Sequence, residues 1–365
     1  MHKLLLIDLL LYSETQVTTA ERLLELHDSN LGYFQYLEKS IKPVVIQHAG
    51  FSKTFKDHDT AFEIRKGANK KWHLYLPLFY RIRRQKPGVV LVHSMDYAFQ
   101  VIVLKMILGR KVKILVQNHA EKPGKGLRKM LQKKACSFIS GYLLASKAQG
   151  EAWVNAGIIG GDKIFEVMEG STGFRIKARA EPPQNKTIFI WVGRLDKNKD
   201  PLTILKAFKA YVKQNKNAEL RMVYHANELL SEVKTFIEAH SLFGFVKLVG
   251  ELPHHALEQQ YNNADYFILG SHYEGSGYAL CEAMACGCVP IVTRIPSFTA
   301  MLNNGDCGYL FEPGNAIELQ DILFKLNPAD LAVLKEKVIK KFSADLSFKA
   351  IGRRISEIVL QLSRQ

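Results

Sequence analysis

Short apolar runs, separated by stretches with the spacing of amphipathic helices, recur along the whole chain. Such runs mark strands buried on both faces, and the helices between them are the crossovers of parallel sheets. In the first half they predict strands at 4–9, 43–48, 89–93, 113–118 and 141–145. A second series predicts strands at 187–192, 219–225, 246–249, 266–269 and 289–293. The pattern is that of an α/β protein with two Rossmann-like, doubly wound domains. Residues 177–186 carry two prolines and few apolar side chains, which makes them the expected linker. The domains are then 1–182 and 183–344, followed by a terminal helix in 345–365 that either ends the chain simply or crosses back onto the first domain.

A chain of 365 residues can bury two cores, and 47% hydrophobic content excludes wholesale disorder. No run approaches the roughly 20 apolar residues of a membrane span. The longest, 98–109, is interrupted by Lys105. Residues 1–12 read as a buried first strand and not as a signal peptide, because Asp8 breaks the apolar run and no small-residue cleavage site follows. The five cysteines (Cys136, Cys281, Cys286, Cys288 and Cys307) have no partner pair at zinc spacing. They read as buried thiols of a protein in a reducing cytoplasm. Asp57, His58 and Asp59 spell a D-x-D, but in a polar, lysine-containing stretch that reads as a chance match, so no metal site is expected.

The chemistry concentrates in two segments. Residues 270–290, GSHYEGSGYALCEAMACGCVP, place Glu274 and Glu282 on either side of a glycine-rich turn that leads into a helix. Gly275 and Gly277 allow close backbone approach, and the helix start beyond them favours an anion such as phosphate. The flanking carboxylates suit sugar hydroxyls. Residues 188–200, IFIWVGRLDKNKD, form a strand that ends at Gly193 and presents Arg194 and Lys199 just before a helix at 201–213. Two cations at the carboxyl edge of a sheet suit a diphosphate.

Together these residues resemble the donor-binding half of family 4 retaining glycosyltransferases. The E-x7-E pair Glu274 and Glu282, the Gly193-Arg194-Leu195 run with Lys199, and 246–250 followed by Tyr261, Ala264 and Asp265 carry the likeness over 186–345. In the first half the match is KILVQNHA, ending at His119 and Ala120. The resemblance implies a GT-B fold, with the two domains facing a central cleft. It implies transfer of a sugar from a nucleoside diphosphate sugar to an acceptor hydroxyl, with no cofactor and no metal. By the same resemblance Glu282 holds the ribose, and Arg194 and Lys199 the diphosphate, with the amides of Ser276, Gly277 and Tyr278. Glu274 and His119 are the catalytic pair, Glu274 at the donor sugar and His119 meeting it from the acceptor side. The chain departs from the family pattern in the loop 13–19, at 169–172, where a Pro-Asn-Gly is usual, and at Ser276. A nucleotide-sugar epimerase and a non-enzymatic nucleotide-sugar-binding descendant are the rival readings.

Charge separates the halves. Residues 1–182 hold 29 Lys and Arg against 16 Asp and Glu, whereas residues 183–365 hold 21 against 19. Ten of the cations lie within 105–134, where Glu121 is the single acid. Helical spacing over 125–138 sets Leu127, Met130, Leu131 and Cys136 against Arg128, Lys129, Lys133 and Lys134, a pattern that suits the surface of an anionic membrane. Such a surface on the inner face of the plasma membrane, and a saccharide or lipid-linked acceptor, are therefore expected partners. The alternative is an ordinary core face with solvated charges. Nucleic acid is not expected, since the basic stretch lacks interleaved aromatics.

Overall fold

A computed structural model describes residues 3–67, 74–179 and 186–364. The chain forms two compact units, Met1–Ser171 with Phe348–Gln365, and Thr172–Ser347. The boundary lies upstream of the polar segment read as a linker. Lys177 N already donates to Asn262 Oδ1 of the second unit at 2.7 Å, and Arg179 pairs with Asp265. Residues 180–185 of that segment lie outside the described residues.

The first unit is built on eight strands: β1 (Leu4–Glu14), β2 (Ile41–Ala49), β3 (Lys53–Asp57), β4 (Thr60–Lys66), β5 (Val89–His93), β6 (Lys113–Gln117), β7 (Gly141–Leu144) and β8 (Ile164–Glu166). They lie in the order β3-β4-β2-β1-β5-β6-β7-β8, parallel except for β3 against β4. The apolar runs bury this sheet as expected: Leu6, Ile7, Leu9, Val90, Val92 and Ile114 are inaccessible. The terminal helix Phe348–Ser363 belongs to this unit. Ser356 Oγ accepts from Glu38 N at 2.9 Å. A Cβ on Gly352 would meet Tyr33 O at 2.8 Å, so only glycine permits this close approach to the short helix Gly32–Tyr36.

The second unit is an all-parallel sheet of six strands: β9 (Thr187–Gly193), β10 (Ala218–Tyr224), β11 (Val246–Gly250), β12 (Tyr266–Leu269), β13 (Val289–Thr293) and β14 (Tyr309–Phe311). Their order is β11-β10-β9-β12-β13-β14. The chain steps outward from β9 on one side and from β12 on the other. Their carboxyl ends therefore diverge and open the crevice in which doubly wound sheets hold ligands.

Four strands escape the hydrophobic pattern. In β4 buried and half-buried residues alternate and β3 carries one apolar residue, Phe55, because this antiparallel hairpin is covered on one face only. The D-x-D falls on its turn, with Asp57 closing β3 and His58 at φ 50°. β8 and β14 have only three residues each, too few to show a period. The terminal helix expected in 345–365 forms at Phe348–Ser363, starting three residues late because the helix before it, Pro328–Lys341, runs into a π-helical turn, Phe342–Leu346, that ends at extended Ser347.

Candidate functional site

In the second unit two loops meet at the divergence of β9 and β12. The first leads from Gly193 to the helix Pro201–Gln214, the second from Gly270 to the helix Tyr278–Ala285. His272 N donates to Asn198 O at 2.8 Å, and Asn198 Nδ2 donates to Tyr273 O at 3.0 Å. A Cβ on Gly270 would lie 3.1 Å from Asp200 O, so the loops approach closely because this residue has no side chain. Lys199 and Glu274 form an ion pair across the junction, each side chain only 14% exposed. Asp196 links the two residues: Oδ1 accepts from the Lys199 backbone N–H at 2.9 Å and Oδ2 lies 3.1 Å from Arg194 Nε. Arg194 itself is exposed, with 55% of its side chain accessible.

The start of the helix Tyr278–Ala285 has the features of an anion cradle. Gly277 occupies the N-cap at φ 64°, with no side chain capping the helix. The neighbouring Ser276 is buried, and its hydroxyl has no hydrogen-bond partner among the described residues. A buried orphan hydroxyl costs free energy unless a partner satisfies it, so a donor and the positive end of the helix dipole meet at this helix start. Further along the helix, Glu282 Oε2 lies 3.1 Å from the Tyr261 hydroxyl and Oε1 lies 3.0 Å from His254 Nε2. Burial first, and then the Glu282 charge, push the Tyr261 pKa well up, which keeps the phenol protonated as a donor. His254 in turn stacks on Phe174 at 4.6 Å. Sequence reasoning passed over Asp196, His254 and Phe174, which stand at loop or helix ends with no periodic signal.

His119 belongs to the first unit and lines an open pocket of about 570 Å³ at the carboxyl ends of β1, β5 and β6, with Tyr12, Ser13, Ser94, Tyr97 and Glu121. Both of its ring nitrogens are engaged by the protein. Nδ1 lies 2.6 Å from Glu169 Oε2 and Nε2 lies 2.9 Å from His93 Nδ1. His93 Nε2 is in turn 2.8 Å from Oδ1 of Asp8. Asp8 and His93 were not singled out as site residues from the sequence. The available signals were a lone carboxylate inside LLLIDLLLY and a histidine closing an apolar strand.

The basic helix Gly126–Cys136 divides the expected apolar face. Leu131 and Cys136 pack against the core, whereas Leu127 and Met130 are 65% and 67% exposed beside Lys129, Lys133 and Lys134. Arg128 is paired with Asp96. Lys105 is no part of this surface, because its ammonium donates to Val112 O at 2.5 Å and to Arg110 O at 3.2 Å. All five cysteines are free thiols. Among the described residues no helix is long and apolar enough to cross a membrane.

Two doubly wound units, the second with carboxylates, cations and an uncapped helix gathered at its switch point, define the GT-B fold class. Solved structures share this fold over the whole chain. A glycosyltransferase from Rickettsia africae superposes with a TM-score of 0.73 at 16% identity, covering 99% of both chains. HepE of Anabaena, solved in complex with UDP and glucose, gives 0.66 at 16% identity over 97% of this chain and 99% of that one. Residues 174–327 match the model of the family Glycosyl transferases group 1. Over 184 residues the chain is 26% identical to the amylovoran biosynthesis glycosyltransferase AmsK of Erwinia amylovora, 47% of this chain and 44% of that protein. The first three curated relatives are matched over only 34% to 44% of their own length.

Proposed function

We propose that the protein is a retaining glycosyltransferase that works without a metal ion. It moves a sugar from a nucleoside diphosphate sugar to an acceptor hydroxyl, in the synthesis of a cell-surface polysaccharide, lipopolysaccharide or glycolipid. The observation that carries this reading is the junction of Arg194, Lys199, Glu274, Ser276 and Glu282 at the β9/β12 divergence. Lys199 and Arg194 hold the diphosphate, with the Ser276 hydroxyl and the amides of Gly277 and Tyr278 completing the cradle. These fixed donors stabilise the charge that develops on the leaving diphosphate, the service a metal ion performs elsewhere. Glu282, steadied by Tyr261 and His254, accepts from the ribose hydroxyls. Glu274 leaves Lys199 for the sugar as the phosphates take its place. The pocket around His119 receives the acceptor.

The exposed Leu127 and Met130 on a lysine-rich helix support a second element, docking of the first unit on an anionic membrane that carries a lipid-linked acceptor. The relative named for amylovoran biosynthesis favours a polysaccharide product.

The test is a thermal-shift and turnover screen of UDP-, GDP- and ADP-sugars, with UDP-glucose first because HepE was solved with UDP and glucose. One donor family should raise the melting temperature and lose its sugar to an acceptor with the anomeric configuration kept. Isomerised nucleotide-sugar without transfer would identify an epimerase. Tight binding without turnover on any acceptor would identify a binding protein.

A further inference from the structure

Asp8, His93, His119 and Glu169 stand in line. The contacts are Asp8 Oδ1 to His93 Nε2 at 2.8 Å, His93 Nδ1 to His119 Nε2 at 2.9 Å, and His119 Nδ1 to Glu169 Oε2 at 2.6 Å. Each of these contacts is a hydrogen bond only if one proton lies between its two heavy atoms, whichever atom carries it. Three bonds take three protons, whereas two neutral imidazoles between two carboxylates bring only two. With two protons, a pair of facing atoms would meet lone pair to lone pair.

We propose that these four residues form one proton-sharing chain holding three protons. In it Asp8, His93 and Glu169 are positioning residues, and His119 presents to the pocket a fully bonded ring that shares the pair's positive charge. It carries no lone pair available to act as a base. The chain has a net charge of −1, with its cation on the imidazole pair between two carboxylates. The surroundings suit this state. The Tyr33 hydroxyl donates to the second oxygen of Asp8 at 3.2 Å, and His119 N donates to Glu121 Oε2 at 2.8 Å. Tyr12 is also near, and burial followed by the charges of Asp8, Glu14, Glu169 and Tyr97 keeps it a neutral phenol. His27, on the buried side, is pushed down to about 4, by burial and then by His93, so it adds no charge near neutrality. For His119 burial lowers the pKa, but the hydrogen bond and charge of Glu169, followed by Glu121 and Asp8, outweigh it and leave a net rise above 6.5. The catalytic consequence rests on the reading that His119 faces a transferred sugar; the proton count does not.

Side-chain ¹⁵N NMR of the full chain separates the two. The His93–His119 pair should carry three N–H protons at pH 7. It should lose the third at a midpoint above the ordinary imidazole range, in the direction that Glu169 drives His119. Glu169→Gln, at the outer end of the chain where folding is least at risk, should lower that midpoint by about one unit. Two N–H protons at pH 7 in the wild type, or a midpoint indifferent to Glu169→Gln, would overturn the proposal. In turnover, kcat should fall as pH rises through the same midpoint. The fall should move to lower pH in Glu169→Gln with donor KM unchanged, a shift that a merely structural carboxylate would not cause. A wild type that transfers no sugar would defeat the functional reading while leaving the NMR result to decide the chain.

Discussion

Breaking the Lys199–Glu274 pair should weaken nucleotide binding when the lysine is removed and strengthen it when the glutamate is. The two side chains meet across the loop junction with 14% of each exposed, a site neither fully wet nor fully dry. Two unit charges about 4 Å apart attract by about 4 kcal/mol at an effective dielectric near 20, and desolvation and side-chain ordering return part of that, leaving a coupling of about 1–2 kcal/mol. Lys199→Met removes a charge-assisted contact to the diphosphate and should cost about 1.5–3 kcal/mol of binding, roughly 10- to 150-fold in Kd. Glu274→Gln frees the ammonium from its competitor and should tighten binding of the bare nucleoside diphosphate, while kcat with the full donor falls. Calorimetry with UDP, GDP and ADP, on both single variants and the double variant, together with urea melts, gives the complete cycle. Equal affinities for wild type and Lys199→Met with every nucleotide, alongside a normal fold, would refute the assignment of this pair to the diphosphate.

The remaining predictions concern neighbouring groups. Glu282→Gln should raise donor KM several-fold with kcat nearly kept, and activity should persist in EDTA; loss there with rescue by Mn²⁺ would contradict a metal-free reaction. Gly277→Ala should destabilise by about 1–3 kcal/mol in denaturant melts, because φ is 64° and the new Cβ would lie 2.7 Å from Phe298 Cε1. His27 is buried with its pKa pushed down from 6.5 to about 4, so the unfolded chain binds the extra proton between those values. Its stabilising contribution is complete above pH 6.5, fades as pH falls towards 4, and amounts to about 3 kcal/mol; His27→Gln should flatten that part of the stability profile. Anionic vesicles should sediment the protein at low salt and release it as salt rises. Replacing Lys129, Lys133 and Lys134 by Gln should abolish this, whereas binding unaffected by those changes would show that the helix is only a solvated face.

Much of the loop junction in the second unit was legible as a cluster of residues because its logic is local. Strand, glycine, cation and helix follow one another within 188–213, and the two glutamates flank a turn within nine residues of sequence, so apolar period and turn residues place them at a sheet edge. The His119 site was legible only as one residue. Asp8 and His93 are 85 positions apart, and His93 and His119 are 26 apart. They meet because β1, β5 and β6 are adjacent in the sheet, an order that no local pattern states. The basic helix shows the same limit from the other side, since its spacing marked an apolar face but not which part of that face packs.

By itself the sequence determined the α/β class, the two series of buried strands and the helix start at Gly277, because each follows from backbone propensity and the period of burial over a few neighbouring residues. The tertiary structure alone decided which strands lie side by side. That choice set β9 against β12, bringing Lys199 to Glu274 across 75 positions, and carried the terminal helix back to the first unit. Pairings of this kind arise from packing whole elements, whose loop-closure cost rises only slowly with separation, and so they leave no trace in the local spacing of residues.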